Sequence, residues 1–408
     1  MLDNATPGHH AEALPLNRYG TGPTPQFAPV PILQPGVFPP HDALPEMPYV
    51  PVTPETVLWG RLPSRRDAPV VTIASGDTII VDTLSHEGLL PDQGQDPAAF
   101  FAQHGVPRDA VLRDAIAVAA STPRDAVHDG PHVITGPIRV EGARPGDLLR
   151  IAIERLEPRV PYGVISNRHG RGALPAELPR SGRTVSVFTP VEERAGALRG
   201  VLPRVEGAQR EVAFPLAPFL GAIGVAPDSD ERPHSVPPSE FGGNIDIKLL
   251  VEGTAIYLPV QVDGALAYVG DPHFAQGDGE VALTAVEASL RATLRFDVVP
   301  AARAHAEFGR VKGPLVETDE YLVPTGLDPD LNEAMRKATR AALDLLRARW
   351  GMAEHLAYAY LSAAVDFDIS QVVDGTCGVH ARIRTSDLSD SVFAARPARG
   401  PGAGGSRR

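Results

Sequence analysis

The sequence predicts a mainly β fold of mixed sheets with a helical element towards the C-terminus, which makes the chain α+β overall. Short runs of apolar and β-branched residues recur between turns that contain glycine or proline, as is typical of strands. These runs do not alternate regularly with helical segments, as a doubly wound parallel sheet would require. Two helical periods follow each other late in the chain, at residues 330–350 and 352–365. The patterns together indicate a β body to which helices are added.

The chain begins with a segment that does not resemble a folded unit. Residues 1–56 are rich in proline and have neither a helical nor an alternating period. We expect this segment to form an extended arm, because proline-rich chains favour polyproline geometry. Such an arm could wrap a neighbouring subunit or stay disordered. The globular body is predicted at residues 57–390, followed by a flexible tail at 391–408.

The first half of the body contains strands and two short helices. Strands are predicted at 56–59, 70–73 and 78–81, and a turn at 74–77 joins the last two. Residues 96–104 and 108–120 have helical composition and connect two β-rich regions. A strand, a tight glycine turn and a second strand account for residues 136–156. From 184 to 215 short strands alternate with turns, so the β character continues.

The second half begins with the most strongly patterned strands. They are predicted at 218–227, 245–251, 254–262 and 265–269, with a loop at 228–241. Residues 281–294 fit either a strand or a helix by their period. The helix at 330–350 has Asp328 and Asp330 as candidate N-terminal caps, because a carboxylate there can accept free backbone N–H groups.

Composition limits the class of protein. The 408 residues are 43% hydrophobic, enough for one large core or two ordinary ones. The formal net charge is -12 and no basic stretch is sustained, which argues against nucleic acid or an anionic membrane as partner. A small neutral or cationic substrate fits this charge better. Cys377 is the only cysteine, so an intramolecular disulfide and a thiolate zinc cluster are both excluded.

The expected location is cytoplasmic. The sequence starts Met-Leu-Asp-Asn and does not develop a basic segment followed by an apolar one. No apolar run approaches the length of a membrane span. A single cysteine fits a reducing compartment. The sequence therefore predicts a soluble protein.

Residues 270–280 concentrate chemically useful side chains between two strand-like runs. They include three carboxylates, an imidazole and a carboxamide, with glycines on both sides. The pairs Asp271 with His273 and Asp278 with Glu280 are each spaced by two, so each pair projects to one side of an extended backbone. Imidazole with carboxylate favours zinc or manganese, whereas carboxylate with carbonyl favours calcium. The alternative is an acidic hairpin loop with an isolated histidine.

Five stretches, this one included, resemble the acetamidase/formamidase family, amidohydrolases that cleave short aliphatic amides to ammonia and a carboxylate. The stretches are Ser-Gly-Asp-Thr at 75–78, His-Val-Ile-Thr-Gly-Pro-Ile at 132–138, residues 140–147, Gly-Gly-Asn-Ile-Asp-Ile-Lys at 242–248, and 270–280. They keep the same order over about residues 70–295, and the likeness continues into the helical part. The resemblance implies a mainly β fold, assembly as a homo-oligomer, a small amide as substrate, and a metal-containing site in some members.

Two residues are the leading candidates for metal ligands beside Asp271. Asp246 alternates with Asn244 and Lys248 in a strand-like run, so the three project from one polar face. A solvated strand face would give the same pattern. His273 has the same parity as Asp271 and lies between a proline and an aromatic residue. It could instead be a buried histidine that is hydrogen-bonded to Asp271.

The remaining candidates complete the predicted site. Glu280 could be a ligand or the general base that takes a proton from water, and Asp278 is the other carboxylate considered for that role. His132 lies in a family-like stretch and is the first choice for a second imidazole, assigned here to catalysis. Asp82 and His86 end a strand at a glycine turn and could complete a ligand set.

The sequence favours a metal-assisted amide hydrolase over two rival mechanisms. Cys377 could act as a nucleophile as in nitrilase-like amidases, but that fold needs strand and helix repeats that this chain lacks. A serine mechanism lacks a Gly-x-Ser-x-Gly elbow. The expected cofactor is a divalent metal, with zinc preferred and calcium as an alternative. A metal- or amide-binding β protein without turnover, and a purely structural calcium site, are the competing hypotheses.

Overall fold

The computed structural model describes residues 30–38, 47–205 and 211–388. Strands and helices are numbered in chain order. Within the described residues the largest sheet has nine strands, in the order β1 (Tyr49–Val50), β4 (Thr78–Asp82), β15 (Leu290–Val299), β6 (Leu148–Pro158), β13 (Ala255–Pro259), β16 (Leu315–Glu317), β17 (Tyr321–Asp328), β19 (Cys377–Arg384) and β18 (Asp366–Gln371).

Two smaller sheets complete the β body. One has the order β12 (Gly242–Asn244), β11 (Phe219–Val225), β14 (Ala267–His273), β5 (Val133–Val140) and β2 (Val57–Trp59), with β3 (Val71–Ile73) parallel to β5. The other has the order β10 (Glu211–Pro215), β9 (Ala197–Pro203), β8 (Val185–Arg194) and β7 (Tyr162–Asn167). The prediction of a mainly β fold of mixed sheets is confirmed.

The main hydrophobic core lies between the two larger sheets. Ile79, Ile151 and Phe296 of the nine-stranded sheet belong to the same buried cluster as Ile223 of β11 and Val269 of β14. All of them are fully buried, so the hydrophobic effect holds the two sheets together. Because β11 and β14 are buried on both faces, the polar residues at the end of β14 lie inside the protein as well.

Five helices are added to this body within the described residues. They are α1 (Pro97–Ala102), α2 (Arg113–Ser121), α3 (Ala301–Phe308), α4 (Leu331–Trp350) and α5 (Glu354–Ala364). Asp330 caps α4 by accepting the N–H of Glu333, as the sequence predicted. A Cβ at Gly326 of β17 would lie 2.1 Å from the carbonyl oxygen of Ala334, so glycine lets α4 approach the sheet. None of these helices has the length and apolar character needed to cross a lipid bilayer.

The element predictions differ from the structure at three places near the metal-ligand candidates. No strand forms at 245–251, where one was expected. Strand β12 ends just before it, at Asn244, because Asp246 has a φ of 49° and leaves the extended conformation. Residues 270–273 belong to β14 instead of a loop. The ambiguous stretch 281–294 is irregular up to Leu290, where β15 begins. Helix α3 (Ala301–Phe308) was not predicted.

Parts of the predicted arm pack against the body. The Nε of Arg159 donates to the carbonyl oxygen of Leu33 at 3.0 Å, and Nη1 of Arg291 donates to that of Val37 at 2.6 Å. Strand β1 extends the nine-stranded sheet in parallel with β4. Residues 1–29, 39–46 and the predicted tail at 391–408 lie outside the described residues. The domain boundaries at 56/57 and 390/391 stay predictions.

Asp82 belongs to a buried ion-pair network that these arginines form. Arg291 donates to its carboxylate from Nε at 2.6 Å and from Nη2 at 3.0 Å. The hydroxyl of Tyr49 donates to Oδ2 at 2.6 Å, and Arg159 Nη2 lies 3.4 Å from the same atom. The sequence placed Asp82 in a metal ligand set, and the structure instead engages both of its oxygens with cationic and hydroxyl donors.

We expect Asp82→Asn to lower the free energy of unfolding by about 3 kcal/mol or more, because two buried guanidinium groups lose compensating charge. Urea denaturation measures this loss, and elemental analysis should find the metal content unchanged. Asp297→Asn is the matched control, with a loss below about 1 kcal/mol, because Asp297 pairs with Arg295 at the surface. An Asp82→Asn protein of normal stability that had lost its metal would contradict this assignment.

Candidate metal centre

Side chains from distant parts of the chain converge at one end of β14. Asp271 and His273 lie on this strand, and Asp246 follows β12 two strands away. His132 directly precedes β5, and His86 lies in the loop after β4. The six-stranded sheet and the nine-stranded sheet therefore both contribute to one buried cluster.

Asp271 lies at the middle of this cluster. Its Oδ2 lies 3.0 Å from Nε2 of His273, and its Oδ1 lies 3.6 Å from Nδ1 of His86 and 3.8 Å from Nε2 of His132. The Nε2 atom of His273 also lies 3.2 Å from Oε1 of Glu287. The sequence prediction that Asp271 and His273 face the same side is thus matched by the geometry, and His86 and His132 join them.

Three sets of donor atoms are close enough to hold a metal ion. In each set the potential ligand atoms all lie within 4.8 Å of one another. The first set shares Asp271 with the second, and the second shares His273 with the third. The sets are His86, His132 and Asp271; Asp271, His273 and Glu287; and Asp246, His273 and Glu280. Every set contains an imidazole, which suits zinc better than calcium.

Gln276 fixes the orientation of the His273 ring. Its Nε2 donates to the backbone carbonyl oxygens of Asp246 at 2.9 Å and Ser370 at 3.2 Å, so Oε1 is the end that faces His273 Nδ1, at 3.1 Å. An amide oxygen only accepts hydrogen bonds, so Nδ1 carries the hydrogen and donates it. In the neutral ring Nε2 then keeps its lone pair, and this atom points into the cluster.

The outer nitrogens of the other two histidines also have partners. His132 Nδ1 lies 3.2 Å from the carbonyl oxygen of Ser235 and 3.1 Å from its Oγ. His86 Nε2 lies 3.4 Å from Oε1 of the buried Glu87. Metal-binding histidines usually donate their second N–H to a carbonyl or carboxylate oxygen, which fixes the tautomer. All three rings therefore have the arrangement of metal ligands, with one nitrogen held outside and the other directed inwards.

Several inward-facing atoms have no hydrogen-bond partner among the described residues. Buried polar atoms without a partner are rare in folded proteins, because each one loses its hydration on folding. Six of the thirteen such atoms in the described part of the chain lie in this cluster. They are Nδ1 of His86, both carboxylate oxygens of Asp246, Oδ1 of Asp271, Nε2 of His273 and Oε2 of Glu287. A bound cation would satisfy all of these lone pairs, so the cluster fits a metal centre.

The backbone at three of the carboxylates is strained. Asp246, Asp271 and Glu280 have φ values of 49°, 48° and 46°, in the left-handed region that residues other than glycine seldom adopt. Each such residue costs roughly 1–3 kcal/mol, and strain of this kind clusters at functional sites. The fold therefore holds these carboxylates in place against their local preference.

A glycine forms the floor of the cluster. A Cβ built on Gly221 of β11 would lie 2.5 Å from Oδ1 of Asp246, 2.7 Å from Oδ2 of Asp271 and 2.8 Å from Cε1 of His273. Any larger residue would push into the space that these ligand candidates share. No local pattern singles out this glycine, because it lies in an ordinary buried strand.

The carboxylates are too crowded to ionise together in the absence of a cation. Burial raises the pKa of Glu280 well above its usual range, and the charges of Asp374, Glu287 and Asp271 add to the effect. Burial, followed by the charges of Glu280, Asp374 and Asp271, likewise raises the pKa of Asp246. Burial is also the main reason that the pKa of Asp374 rises to about 7. A divalent ion would relieve this repulsion and favour the ionised forms.

The pKa values of His132 and His273 are shifted in opposite directions by their surroundings. Burial, with the charge of His86 adding to it, lowers the pKa of His132 to about 4, so this ring is neutral near pH 7. Burial would also lower the pKa of His273, but the charges of Glu287 and Asp271 outweigh it and raise the value well above the usual range. Asp271 experiences the converse effect. Burial would raise its pKa, but the charges of His132 and His273 outweigh burial and hold the pKa well below normal.

Besides Asp82, a second predicted site residue, Asp278, lies apart from the cluster. The carboxylate of Asp278 is exposed, and its Oδ2 lies 2.5 Å from Nζ of Lys248. Glu280, two residues later, is buried and belongs to a donor set. The equal spacing suggested that both would face one point. They separate because Gly279 and Glu280 both have left-handed φ values, which breaks the alternation of an extended chain.

Sequence reasoning missed two buried acidic residues of the site. Glu287 lies in the mainly apolar run 281–294, where a single buried carboxylate is itself a signal, because such a group needs a partner. Asp374 lies between β18 and β19, and its Oδ2 accepts a hydrogen bond from Nδ2 of Asn244 at 3.1 Å. No local pattern marks Asp374, since the polar residues around it are typical of a turn.

Comparison with known proteins gives a family match that covers most of the residues of the candidate metal centre. A model of the Acetamidase/Formamidase family matches residues 119–233 and 229–384. This span contains every member of the three donor sets except His86.

Individual relatives share about a quarter of their aligned residues with this chain. The chain is 26% identical over 223 residues to a putative formamidase of Schizosaccharomyces pombe, an alignment that covers 41% of this chain and 52%, about half, of that protein. It is 27% identical over 302 residues to an acetamidase of Mycolicibacterium smegmatis, covering 57% of this chain and 73% of that one. The crystal structure of an acetamidase from Bacillus halodurans superposes with a TM-score of 0.65 at 27% identity, over 83% of this chain and 99% of that chain.

Proposed function

The chain belongs to the acetamidase/formamidase family, and from this premise we propose that it hydrolyses short aliphatic amides, such as formamide and acetamide, to ammonia and a carboxylate at a metal centre. The observation that carries the proposal is the convergence of unpartnered nitrogen and oxygen atoms on the buried space beside Gly221. A divalent ion held there would polarise the amide carbonyl and lower the pKa of a nearby water molecule.

The donor sets suggest which residues would hold the ion. Asp271 and His273 are each shared by two sets, which makes them the principal ligand candidates, and Asp246 and His86 are further ones. His132 was predicted as a catalytic residue. Its neutral ring and its inward Nε2 suit a ligand better, because a general acid needs an exchangeable proton at the reacting atoms. Zinc is the proposed ion, since each set combines imidazole with carboxylate.

Glu280 is the proposed carrier of protons. It is the one member of the donor sets that also lines a cleft beside the cluster, so it lies between the donor atoms and a space that water and substrate can enter. The oxygen of water bonds to the carbonyl carbon, the carbon–nitrogen bond breaks, and Glu280 passes the proton taken from water to the nitrogen that leaves as ammonia.

The setting of the enzyme is also part of the proposal. A cytoplasmic location agrees with the single cysteine, which fits a reducing compartment. Assembly as a homo-oligomer follows from the family likeness and stays a prediction. Size-exclusion chromatography with light scattering would measure the oligomeric state directly.

Purified protein is expected to release ammonia from formamide and acetamide and to contain bound zinc. Exhaustive chelation should lower turnover by at least about a hundredfold, because it removes the charge that stabilises the developing oxyanion. Added zinc should restore turnover and raise the midpoint of thermal unfolding, as a ligand of the native state does.

Two outcomes would reject this function. Full turnover in protein shown by elemental analysis to be free of metal would exclude the metal-assisted mechanism. Stoichiometric metal without ammonia from any amide would favour a binding protein, and stabilisation by calcium alone would favour a structural calcium site.

A further inference from the structure

A cleft of about 440 Å³ adjoins the candidate metal centre. It lies between strands β7 and β10 and the segment that follows β14, with residues 165, 214–215, 275–278, 280–282 and 284–286 as its lining. Glu280 lines the cleft and belongs to a donor set with Asp246 and His273. Gln276 lines it as well and holds His273 Nδ1 at 3.1 Å. The inner end of the cleft therefore reaches the proposed reacting position.

The walls of the cleft are mostly apolar. Ile165, Phe214, Val281 and Val286 are among the residues that line it. The ring of Phe214 lies over Gly200 of β9, where a Cβ would be 2.6 Å from its Cζ atom. Because Gly200 has no side chain, the ring of Phe214 can occupy this position in the lining of the cleft.

The charged residues among the described lining are both acidic. Glu280 lies at the inner end, and Asp278 lies where Nζ of Lys248 neutralises it at 2.5 Å. Among the described residues, the lining offers no arginine or lysine to an anionic group. A carboxylate on the acyl chain of the substrate would therefore be repelled by Glu280 and would lack a partner.

We infer that this cleft binds the acyl group of the substrate and that the preferred substrates are neutral primary amides with an apolar acyl chain of several carbons. The inference rests on the proposed amide hydrolysis and specifies its substrate class. A cleft of 440 Å³ is far larger than the methyl group of acetamide needs and falls within the range of about 300–1,000 Å³ typical of sites for larger ligands. Each methylene that it buries should raise kcat/KM about fourfold.

The test is a series of amides assayed with zinc-loaded protein by ammonia release: formamide, acetamide, propanamide, butanamide and hexanamide, with succinamate as an anionic probe. We expect kcat/KM to rise along the neutral series, with hexanamide at least about tenfold above acetamide, and to be low for succinamate. A maximum at formamide or acetamide would overturn the inference and leave the proposed hydrolysis intact. Absence of ammonia from every amide would overturn both.

A pair of variants tests the wall directly. Phe214→Ala should lower the ratio of kcat/KM for hexanamide to that for acetamide by about tenfold, because it removes apolar contact with the longer chain only. Val212→Ala is the matched control, since Val212 is exposed on the same strand and does not line the cleft. The ratio does not depend on the fraction of protein that is folded, so a destabilised variant still gives an answer. An unchanged ratio in Phe214→Ala would contradict the inference.

Discussion

Asp271→Asn is expected to abolish both metal binding and amide hydrolysis, with turnover lowered by about a thousandfold or more. Asp271 supplies oxygens to two of the three donor sets, and its carboxylate is the one that His132 and His273 keep ionised. The amide of asparagine has nearly the same shape but no negative charge, and its NH₂ group cannot bind a cation. Elemental analysis and ammonia release from acetamide measure the two effects.

Asp278→Asn is the matched control for this variant. The substitution is chemically identical, and both aspartates are predicted site residues in the stretch 270–280. In the structure Asp278 forms a surface ion pair with Lys248, and such pairs contribute only about 0–1 kcal/mol. The control should therefore keep its metal and most of its turnover of acetamide. Loss of metal from Asp278→Asn, or its retention in Asp271→Asn, would show that the ion binds elsewhere.

The second large effect is expected from Gly221→Ala, which adds a single methyl group beside the donor atoms. That carbon would lie 2.5 Å from Oδ1 of Asp246 and 2.7 Å from Oδ2 of Asp271, closer than non-bonded atoms approach. The carboxylates must then move, and a displacement of about 1 Å at reacting groups can lower turnover about a hundredfold. Metal content should fall together with kcat/KM, while near-ultraviolet circular dichroism should report a folded protein.

Gly277→Ala provides the comparison for this variant. Nothing lies within 4 Å of a Cβ at Gly277, and its φ is not in the left-handed region, so alanine should be accepted there with metal content unchanged. Overpacking at Gly221 is expected to cost about 1–3 kcal/mol, which urea denaturation would detect without loss of the fold. A Gly221→Ala protein that binds metal and turns over acetamide normally would rule out the cluster as the active site.

The local part of the site was predictable from the order of residues. Asp271 and His273 share a side because side chains two apart in a strand point the same way, and the structure places both on β14. The same rule did not hold for the pair Asp278 and Glu280, because they lie beyond the end of β14, in a turn where the N–H of Glu280 donates to the carbonyl oxygen of Gly277. Periodicity describes regular backbone only, and the reacting side chains lie where the backbone stops being regular.

Other members of the site depend on contacts between distant segments. Asp82 and His86 are four residues apart and looked equivalent in sequence. Arg291, 209 residues further along the chain, engages the carboxylate of Asp82, whereas His86 is left facing Asp271. Glu287 likewise becomes part of the centre only because its segment lies against β14, where it bridges to His273.

The mainly β class, the two C-terminal helices, the family likeness and the concentration of ligand candidates around residues 271–273 could all be predicted from the order of residues. They depend on short-range periodicity and on motifs that occur in one order. Which carboxylates share the buried space, which are held by arginine or lysine, and which glycine leaves room for the others became visible only in the folded chain. Burial and the nearest charge determine whether a carboxylate can bind a metal ion, and both come from residues far away in the chain.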